Sequence, residues 1–288
     1  MTAPLRFRVP IELLDLDLTL GCGQTFRWKR LPDGSWKGVV DHDVVRLRYS
    51  NGRLMMTVDP GSHHQAKERI RSYLRTEDDL AAIQERLSED EVIAKGLARV
   101  KGLRLVKMPP WECMVSYVLA TNSNIKRIRG MIDAVAERYG DPLADEMYAL
   151  PTVRQLSRAT VDELTGCGLG YRAKYIHALC RSVDDDTISC MESLQYENLR
   201  KELKALPGIG DKVADCVSLF GFGRLEAFPI DVWMKRALER LYRVAGSYES
   251  LRAFAAKKFG PFAGYAQEYL YYNEWCLAPK GNCAFSQQ

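Results

Sequence analysis

The feature that most constrains the fold of this chain is a short junction between two helical patterns, Leu206-Pro207-Gly208-Ile209-Gly210. The proline ends the first helix, and the glycines permit a tight turn that exposes backbone N–H groups where the second helix begins. Such N–H groups form a phosphate-binding site, and Ile209 can fill the apolar gap between the helices. The turn residues alone are equally compatible with a simple connection between two helices.

Lys212 follows this junction, in the first turn of the second helix. Helical spacing predicts that the helix buries Val213, Cys216, Val217 and Phe220, and Lys212 lies off that stripe. A lysine at this position is unfavourable because the positive end of the helix dipole repels it. It is either a solvated surface lysine or an amine nucleophile, which has to be unprotonated to attack.

Asp231 follows Phe228-Pro229-Ile230 and precedes another helical pattern. It is predicted to be the N-cap of a helix that begins at Val232, with its carboxylate accepting from first-turn N–H groups. Most aspartates in this position are only caps. If the fold holds Asp231 beside Lys212, its carboxylate would also stabilise positive charge on a sugar.

The first sixty residues predict an antiparallel meander of short strands. Asp33-Gly34 and Asn51-Gly52 are preferred sequences for tight hairpin turns, in which both central residues adopt positive φ. Polar and apolar residues alternate along Val44–Tyr49, which indicates one buried and one wet face. The predicted strands are Phe26–Arg30, Trp36–Val40, Val44–Tyr49 and Leu54–Val58.

After Pro60 the pattern becomes helical, with a helix from Ser62 to about Arg75 and another that starts at Trp111. Between them, Thr76 with Asp79 and Ser88 with Glu91 form capping-box patterns, which predict two further helix starts. Further helices are predicted near 125–138, 161–165, 170–182, 194–205, 211–220, 232–243, 248–258 and 262–275. We therefore expect a small sheet subdomain, covered by one or two helices and followed by two packed helical subdomains.

Composition sets broad limits on the class of protein. The 288 residues are 47% hydrophobic and 27% charged, as in ordinary soluble proteins, and the formal net charge of +4 permits a polyanionic partner without requiring one. No membrane span or signal-peptide core is predicted. Most of the eight cysteines show no paired spacing, so reduced thiols and an intracellular location, in cytoplasm, nucleoid or nucleus, are expected.

The segment Leu206–Cys216 (LPGIGDKVADC), followed by Pro229-Ile230-Asp231, resembles the helix-hairpin-helix Gly/Pro…Asp DNA glycosylase superfamily. Within it, the chain is similar to 8-oxoguanine DNA glycosylases. Further motifs in the family's order extend over nearly the whole chain: Gly23–Trp28, Asn122–Ile128, Leu169–Tyr175 and Tyr265–Gln267.

The resemblance implies an α+β fold in which an N-terminal antiparallel sheet of TATA-binding-protein-like (TBP-like) type precedes two mostly α-helical subdomains. We expect boundaries at 1–103, 104–205 and 206–288, with a helix-hairpin-helix motif at about 194–220. Gly208, Ile209 and Gly210 would then bind the DNA backbone.

The implied reaction is excision of 8-oxoguanine from duplex DNA, with a lyase step. Such enzymes extrude the damaged nucleotide, because its base cannot be reached inside the duplex. By resemblance, Lys212 attacks the sugar C1′ and forms a Schiff base, from which β-elimination cuts the strand. Asp231 would stabilise the oxocarbenium-like transition state.

Four residues match the family's base-recognition positions. The backbone carbonyl of Gly23 would accept from N7–H, which 8-oxoguanine has and guanine lacks. Gln267 would bind the Watson–Crick edge, and Cys216 and Tyr271 would sandwich the base. Without the resemblance, Gly23 would only permit a bend, and Cys216 and Tyr271 would be ordinary core residues.

Asn122, Arg127 and Arg172 match residues that bind the cytosine left without a partner. Tyr171 matches an aromatic wedge that holds the base stack open. A lone arginine on a helix is usually a solvated charge, but two arginines and an asparagine in the family's order favour the functional interpretation. We therefore expect a preference for lesions opposite cytosine.

The sequence departs from the family at Trp233, where members often carry histidine, and at Tyr271, where many carry phenylalanine. Cys276 and Cys283 resemble half of an iron–sulfur loop, but no cysteine follows Cys283 and a cluster needs four thiolates. We expect no cluster, no metal and no cofactor. The expected partner is double-stranded DNA containing 8-oxoguanine, bound by a monomer away from membranes.

Two alternatives remain open from the sequence. The chain could excise another damaged base, such as an alkylated base or an oxidised pyrimidine. It could also be a non-catalytic helix-hairpin-helix module, which would bind duplex DNA without needing Lys212 or Asp231.

Overall fold

A computed structural model describes residues 4–59 and 65–276. It is an α+β fold, as expected, with an N-terminal antiparallel sheet followed by helices. The strands are β1 (Leu5–Pro10), β2 (Trp28–Arg30), β3 (Trp36–Val40), β4 (Asp43–Ser50) and β5 (Arg53–Val58). The helices are α1 (Leu16–Gly21), α2 (Ala66–Tyr73), α3 (Leu80–Leu87), α4 (Glu91–Leu97), α5 (Pro110–Leu119), α6 (Ile125–Tyr139), α7 (Val153–Leu156), α8 (Val161–Leu164), α9 (Arg172–Leu179), α10 (Asp185–Glu192), α11 (Tyr196–Lys204), α12 (Asp211–Phe220), α13 (Val232–Tyr242), α14 (Tyr248–Phe259) and α15 (Ala263–Tyr271).

The sheet has the strand order β1-β5-β4-β3-β2, and all its pairs are antiparallel. Asn51 and Gly52 have φ values of 52° and 69°, which confirms the predicted tight turn between β4 and β5. The same prediction is wrong for Asp33-Gly34, where only Gly34 has a positive φ. Asp33 instead accepts from the Ser35 amide at 3.2 Å and hydroxyl at 2.6 Å, so its side chain stabilises a longer loop.

The predicted strands and helices are present, with ends that differ by a few residues. Helices α3 and α4 follow the two predicted capping boxes, but their N-caps are Asp79 and Asp90 rather than Thr76 and Ser88. The second strand begins at Trp28 rather than Phe26, and the helix predicted from Ser62 is described from Ala66 onward, since Ser62 lies outside the described residues. The sequence analysis did not predict β1, which adds to the sheet beside β5, nor the short helices α1, α7 and α10. These elements are short, so their periodicity is weak.

A single hydrophobic cluster runs through the described residues, from the sheet to the last helices. Helix α5 lies in its centre and is buried from Glu112 to Leu119. The subdomain boundaries at 103 and 205 therefore remain a prediction. Within residues 4–59 and 65–276, every helix is too short or too polar to cross a bilayer.

A buried ionic cluster joins α11 and α12, the two helices on either side of the hairpin Leu206–Gly210, to α14. Asp215, fully buried in α12, accepts from Tyr196 Oη at 2.8 Å, Arg200 Nε at 2.9 Å and Tyr248 Oη at 2.5 Å. Arg200 Nη2 lies 2.7 Å from Asp211 Oδ1. Because Asp215, Tyr196 and Arg200 are buried, this cluster determines how α12 sits against its neighbours.

We expect Asp215→Ala to lower the free energy of unfolding by about 3 kcal/mol, because two phenols and a guanidinium lose their shared acceptor inside the protein. Urea denaturation measures the change. Asp186→Ala, at an exposed position of α10, is the matched control and should change stability by less than about 0.5 kcal/mol. Equal losses for both variants would contradict a stabilising role for the cluster.

Candidate active site

The hairpin Leu206–Gly210 closes on itself and packs inward. The Ile209 amide donates to the Leu206 carbonyl at 3.2 Å, and the Ile209 side chain is buried, as predicted. Gly208 has φ of 80°, and a Cβ there would lie 2.8 Å from Tyr175 Cβ. Gly210 has open space around its missing Cβ, so the backbone stays accessible where α12 begins.

Lys212 lies on one line of α12 with Cys216 and Phe220, at spacings of four residues, and all three border the same cavity. The prediction that Lys212 lies off the buried stripe is therefore only partly right: it stands at the outer end of a wall of the cavity. Its Nζ lies 5.0 Å from the centre of the Tyr117 ring, which stacks on Phe220 at 5.6 Å. The amine thus rests on an aromatic surface rather than in open water.

Asp231 caps α13, as predicted. Its Oδ1 accepts from the Met234 amide at 2.8 Å, and α13 begins at Val232. The carboxylate also borders the cavity that contains Lys212, which we call the Lys212 cavity, with a volume of about 60 Å³. The residues lining the cavity are Gly23, Gln24, Tyr117, Lys212, Cys216, Phe220, Pro229, Asp231, Gln267, Glu268 and Tyr271.

All six residues predicted for catalysis and base recognition are therefore brought together, although they come from four separate parts of the chain. Gly23 lies between α1 and β2, with φ of 103°. The Gln267 side chain is buried, and its Oε1 has no hydrogen-bond partner among the described residues. This acceptor is available for a ligand in the cavity.

Gln24, next to Gly23, has a structural role. Its Nε2 donates to the carbonyls of Thr19 at 2.7 Å and Arg104 at 2.9 Å, and its Oε1 accepts from the Val106 amide at 2.9 Å. Every polar atom of this buried amide is used inside the protein. The loop that carries the Gly23 carbonyl is consequently held at a defined position.

Cys216 and Tyr271 provide uncharged walls. Burial raises the pKa of the Cys216 thiol to about 12, and burial also raises the pKa of the Tyr271 phenol well above its ordinary value. Both groups stay neutral in the physiological range. They suit contact with the faces of a flat aromatic ligand.

A second group of predicted residues lies at the mouth of a groove beside the hairpin. Tyr171 is 50% exposed, and Asn122 is exposed with φ of 49°. The groove has a volume of about 450 Å³ and is lined by Thr121, Asn122, Tyr171, Tyr175, Leu206, Gly208, Ile209 and Gly210. The exposed Arg127 lies nearby, since its Nη2 is 3.9 Å from where a Cβ on Gly170 would be.

Arg172 is placed differently from its neighbours. It is 1% exposed, and its Nε and Nη2 donate to the Thr121 carbonyl, with Nη2 also donating to Asn122 O at 3.0 Å. Its Cζ lies 4.5 Å from the centre of the Tyr171 ring. In this structure the guanidinium supports Asn122 and Tyr171 from below instead of facing the surface.

Comparison with known proteins agrees with this arrangement. Residues 115–261 match the family described as HhH-GPD superfamily base excision DNA repair protein. The chain belongs to this superfamily. Residues 6–114 match the N-terminal domain of 8-oxoguanine DNA glycosylase, which confirms the resemblance inferred from the motifs.

Individual relatives are similar over most of their length. The Arabidopsis thaliana N-glycosylase/DNA lyase OGG1 is 29% identical, over 91% of this chain and 77% of that protein. The solved structure of MBOgg1 with a low-affinity DNA ligand is 30% identical and superposes with a TM-score of 0.87. The match covers 94% of this chain and 95% of that one. The Clostridium acetobutylicum 8-oxoguanine glycosylase/lyase, solved with duplex DNA containing cytosine opposite 8-oxoguanine, is 29% identical, with a TM-score of 0.86 and coverage of 95% and 98%.

Trp233, one of the two departures from the superfamily pattern noted above, is 41% exposed at the start of α13, next to Asp231. The guanidinium of Arg236 lies 5.6 Å from the centre of its ring. The exposed indole is therefore in contact with a cation on the following turn of α13. Cys283 lies outside the described residues, as does the side chain of Cys276, so the absence of an iron–sulfur cluster stays a prediction.

Sequence reasoning missed Glu268, which also lines the Lys212 cavity and is 3% exposed. Burial, and then the charge of Asp231, raise the pKa of this carboxyl group from 4.5 to about 7, although a hydrogen bond with the Cys22 thiol lowers it. The sequence contained a signal, because Glu268 is the one carboxyl group in the run Ala263–Leu270, whose other side chains are uncharged.

We expect Glu268→Gln to stabilise the protein at pH 8 but not at pH 4. The folded protein keeps a proton that the unfolded chain releases between pH 4.5 and about 7, so stability falls as pH rises through this window. The free energy of unfolding falls by about 1.4 kcal/mol per pH unit in this window, on the order of 3 kcal/mol in all. Urea denaturation at both pH values tests this, with the exposed Glu85→Gln as control. A difference between wild type and Glu268→Gln that does not vary with pH would contradict it.

Proposed function

We propose that this chain excises 8-oxoguanine from duplex DNA and then cleaves the abasic strand, as a bifunctional DNA glycosylase and lyase. One observation carries the proposal: the amine of Lys212 and the carboxylate of Asp231 line the same small cavity, beside a groove formed by the hairpin and Tyr171. The cavity contains an amine and a carboxylate that can carry out the reaction. The groove exposes the N-terminus of α12, which can bind a DNA phosphate.

Within the cavity, the unprotonated amine of Lys212 attacks C1′ of the extruded nucleotide. The bond between C1′ and N9 breaks, and its electron pair leaves with the base, which then takes up a proton. The carboxylate of Asp231 stabilises the positive charge that develops on the sugar. Opening of the sugar ring yields a Schiff base, and loss of a C2′ proton expels the 3′ phosphate.

The walls of the cavity match an oxidised purine. The Gly23 carbonyl accepts from N7–H, and Gln267 binds the Watson–Crick edge, while Cys216 and Tyr271 contact the two faces. A guanine would present a lone pair to the Gly23 carbonyl, a mismatch that costs roughly 1–3 kcal/mol. The volume of about 60 Å³ is far below that of usual ligand sites, so an entering base displaces wall side chains.

We expect Lys212→Gln to abolish release of 8-oxoguanine while leaving much of the duplex binding, because only the nucleophile is lost. Borohydride reduction should trap wild type covalently on 8-oxoguanine duplexes and should not trap Lys212→Gln. Lys257→Gln, an exposed lysine of α14, is the matched control.

Normal base release by Lys212→Gln would overturn this assignment. A wild-type protein that binds the duplex and forms no trapped complex would instead fit a non-catalytic helix-hairpin-helix module. Release of alkylated bases or oxidised pyrimidines, and not of 8-oxoguanine, would indicate the other glycosylase specificity.

In the groove, we propose that Asn122 and Arg127 bind the cytosine left without a partner. Tyr171 is the wedge that holds the neighbouring base pairs apart. The guanidinium of Arg127 can donate to N3 and O2 of cytosine, which adenine does not match. Arg172 is then a positioning residue, because its donors hold the carbonyls of Thr121 and Asn122 in place.

Base release should be faster opposite cytosine than opposite the other three bases, and Arg127→Ala should reduce this preference by about tenfold, the equivalent of one lost charged hydrogen bond. Single-turnover rates with four duplexes that differ only in the opposite base measure it. Arg154→Ala, an exposed arginine of α7, should keep the wild-type preference. Equal rates opposite all four bases would refute the assignment.

Double-stranded DNA containing 8-oxoguanine is the substrate, and the protein acts as a monomer without an iron–sulfur cluster or other cofactor. An intracellular location follows from a DNA repair function.

A further inference from the structure

The Lys212 cavity contains a second acid that the proposed reaction does not use. Glu268 projects from α15 into the same cavity as Lys212 and Asp231 and is 3% exposed. Its Oε1 has no hydrogen-bond partner within the described part of the chain. The carboxyl group interacts with the Cys22 thiol, whose residue immediately precedes Gly23.

Several elements supply the titratable groups around Glu268. Burial keeps the thiols and phenols uncharged, because it raises the pKa of each of them. The groups in the cavity that are able to carry a charge are therefore the amine of Lys212 and the carboxyl groups of Asp231 and Glu268. The titratable groups around Glu268 are those of Cys22 before β2, Tyr117 on α5, Lys212 and Cys216 on α12, Asp231 before α13, and Tyr271 on α15.

The neutral form of Glu268 fits this environment better than the ionised form. An ionised carboxylate would lose its hydration, would face the charge of Asp231, and would have an oxygen without a donor. A neutral carboxyl group has one O–H donor and one carbonyl acceptor, and a purine with carbonyl and ring N–H groups can satisfy both. Gln267 Oε1, on the preceding residue, is likewise unpartnered and buried.

We propose that Glu268 binds the extruded base as a neutral carboxyl group, and that its ionisation slows base release. This inference rests on the proposed function of the Lys212 cavity. Ionisation removes the O–H donor and repels the electron pair that leaves with the base.

The test compares single-turnover release of 8-oxoguanine between pH 6 and pH 8.5 for wild type and Glu268→Gln. Effects of pH that are common to both proteins cancel in the ratio of their rates, which leaves the contribution of Glu268. The ratio of the Glu268→Gln rate to the wild-type rate should rise by about tenfold or more across this range. Glu112→Gln removes another buried carboxyl group, outside the cavity, and its ratio to wild type should not vary with pH.

A binding measurement separates contact with the base from a structural role. In the Lys212→Gln background, where no base is released, the preference for 8-oxoguanine duplexes over guanine duplexes should fall as pH rises. The double variant Lys212→Gln/Glu268→Gln should show a preference that is independent of pH. A residue that only supports the fold would not change the preference between two duplexes in this way.

Each outcome decides the inference. Wild type that releases no 8-oxoguanine overturns the proposed function and this inference with it. Wild type that releases the base, with a rate ratio for Glu268→Gln that is constant from pH 6 to pH 8.5, overturns the inference alone. If Glu268→Gln does not fold, Glu268→Ala provides the same comparison, because it also removes the ionisable group.

Discussion

The buried carboxylate of Asp215 is the interaction on which the site depends most. It accepts from a guanidinium and two phenols that belong to α11 and α14, so it sets the rotation of α12 about its own axis. Once that rotation is set, the helical repeat brings Lys212, Cys216 and Phe220 to the wall of the Lys212 cavity. A small rotation of α12 would move the amine off the Tyr117 ring and away from Asp231. The carboxylate of Asp215 and the amine of Lys212 therefore belong to the same ten-residue helix.

The other walls of the cavity depend on close packing over long sequence distances. Gln24 fixes the loop that carries Gly23 by bonding to Arg104 and Val106. On the opposite side, α15 approaches α12 closely, since a Cβ on Gly264 would lie 2.3 Å from Leu219 Cδ1. This approach brings Gln267 and Glu268 to the cavity. The sheet and the C-terminal helices therefore contribute to one site, which agrees with a single hydrophobic core running through both.

Local signals were sufficient where a few adjacent residues determine the geometry. The Asn51-Gly52 turn, the inward packing of Ile209 and the cap formed by Asp231 all follow from backbone preferences and short-range hydrogen bonds. The same reasoning was wrong at Asp33-Gly34, where the Asp33 side chain stabilises a different loop. It also could not show that Arg172 points inward, because its acceptors are carbonyls fifty residues earlier in the chain.

The sequence by itself determined the order of elements, the α+β class and the superfamily, because these follow from periodicity, turn residues and motifs in a specific order. It also gave Lys212 and Asp231 as the candidates for the reactive pair. Only the tertiary structure decided that Lys212 lies at the cavity wall, that Arg172 supports the groove from below, and that Glu268 is buried beside Asp231. The physical reason is that burial and charge depend on neighbours distant in sequence. The residues next to a glutamate in the sequence do not reveal whether its carboxyl group is in water or in a closed cavity. Its protonation nevertheless depends on that environment.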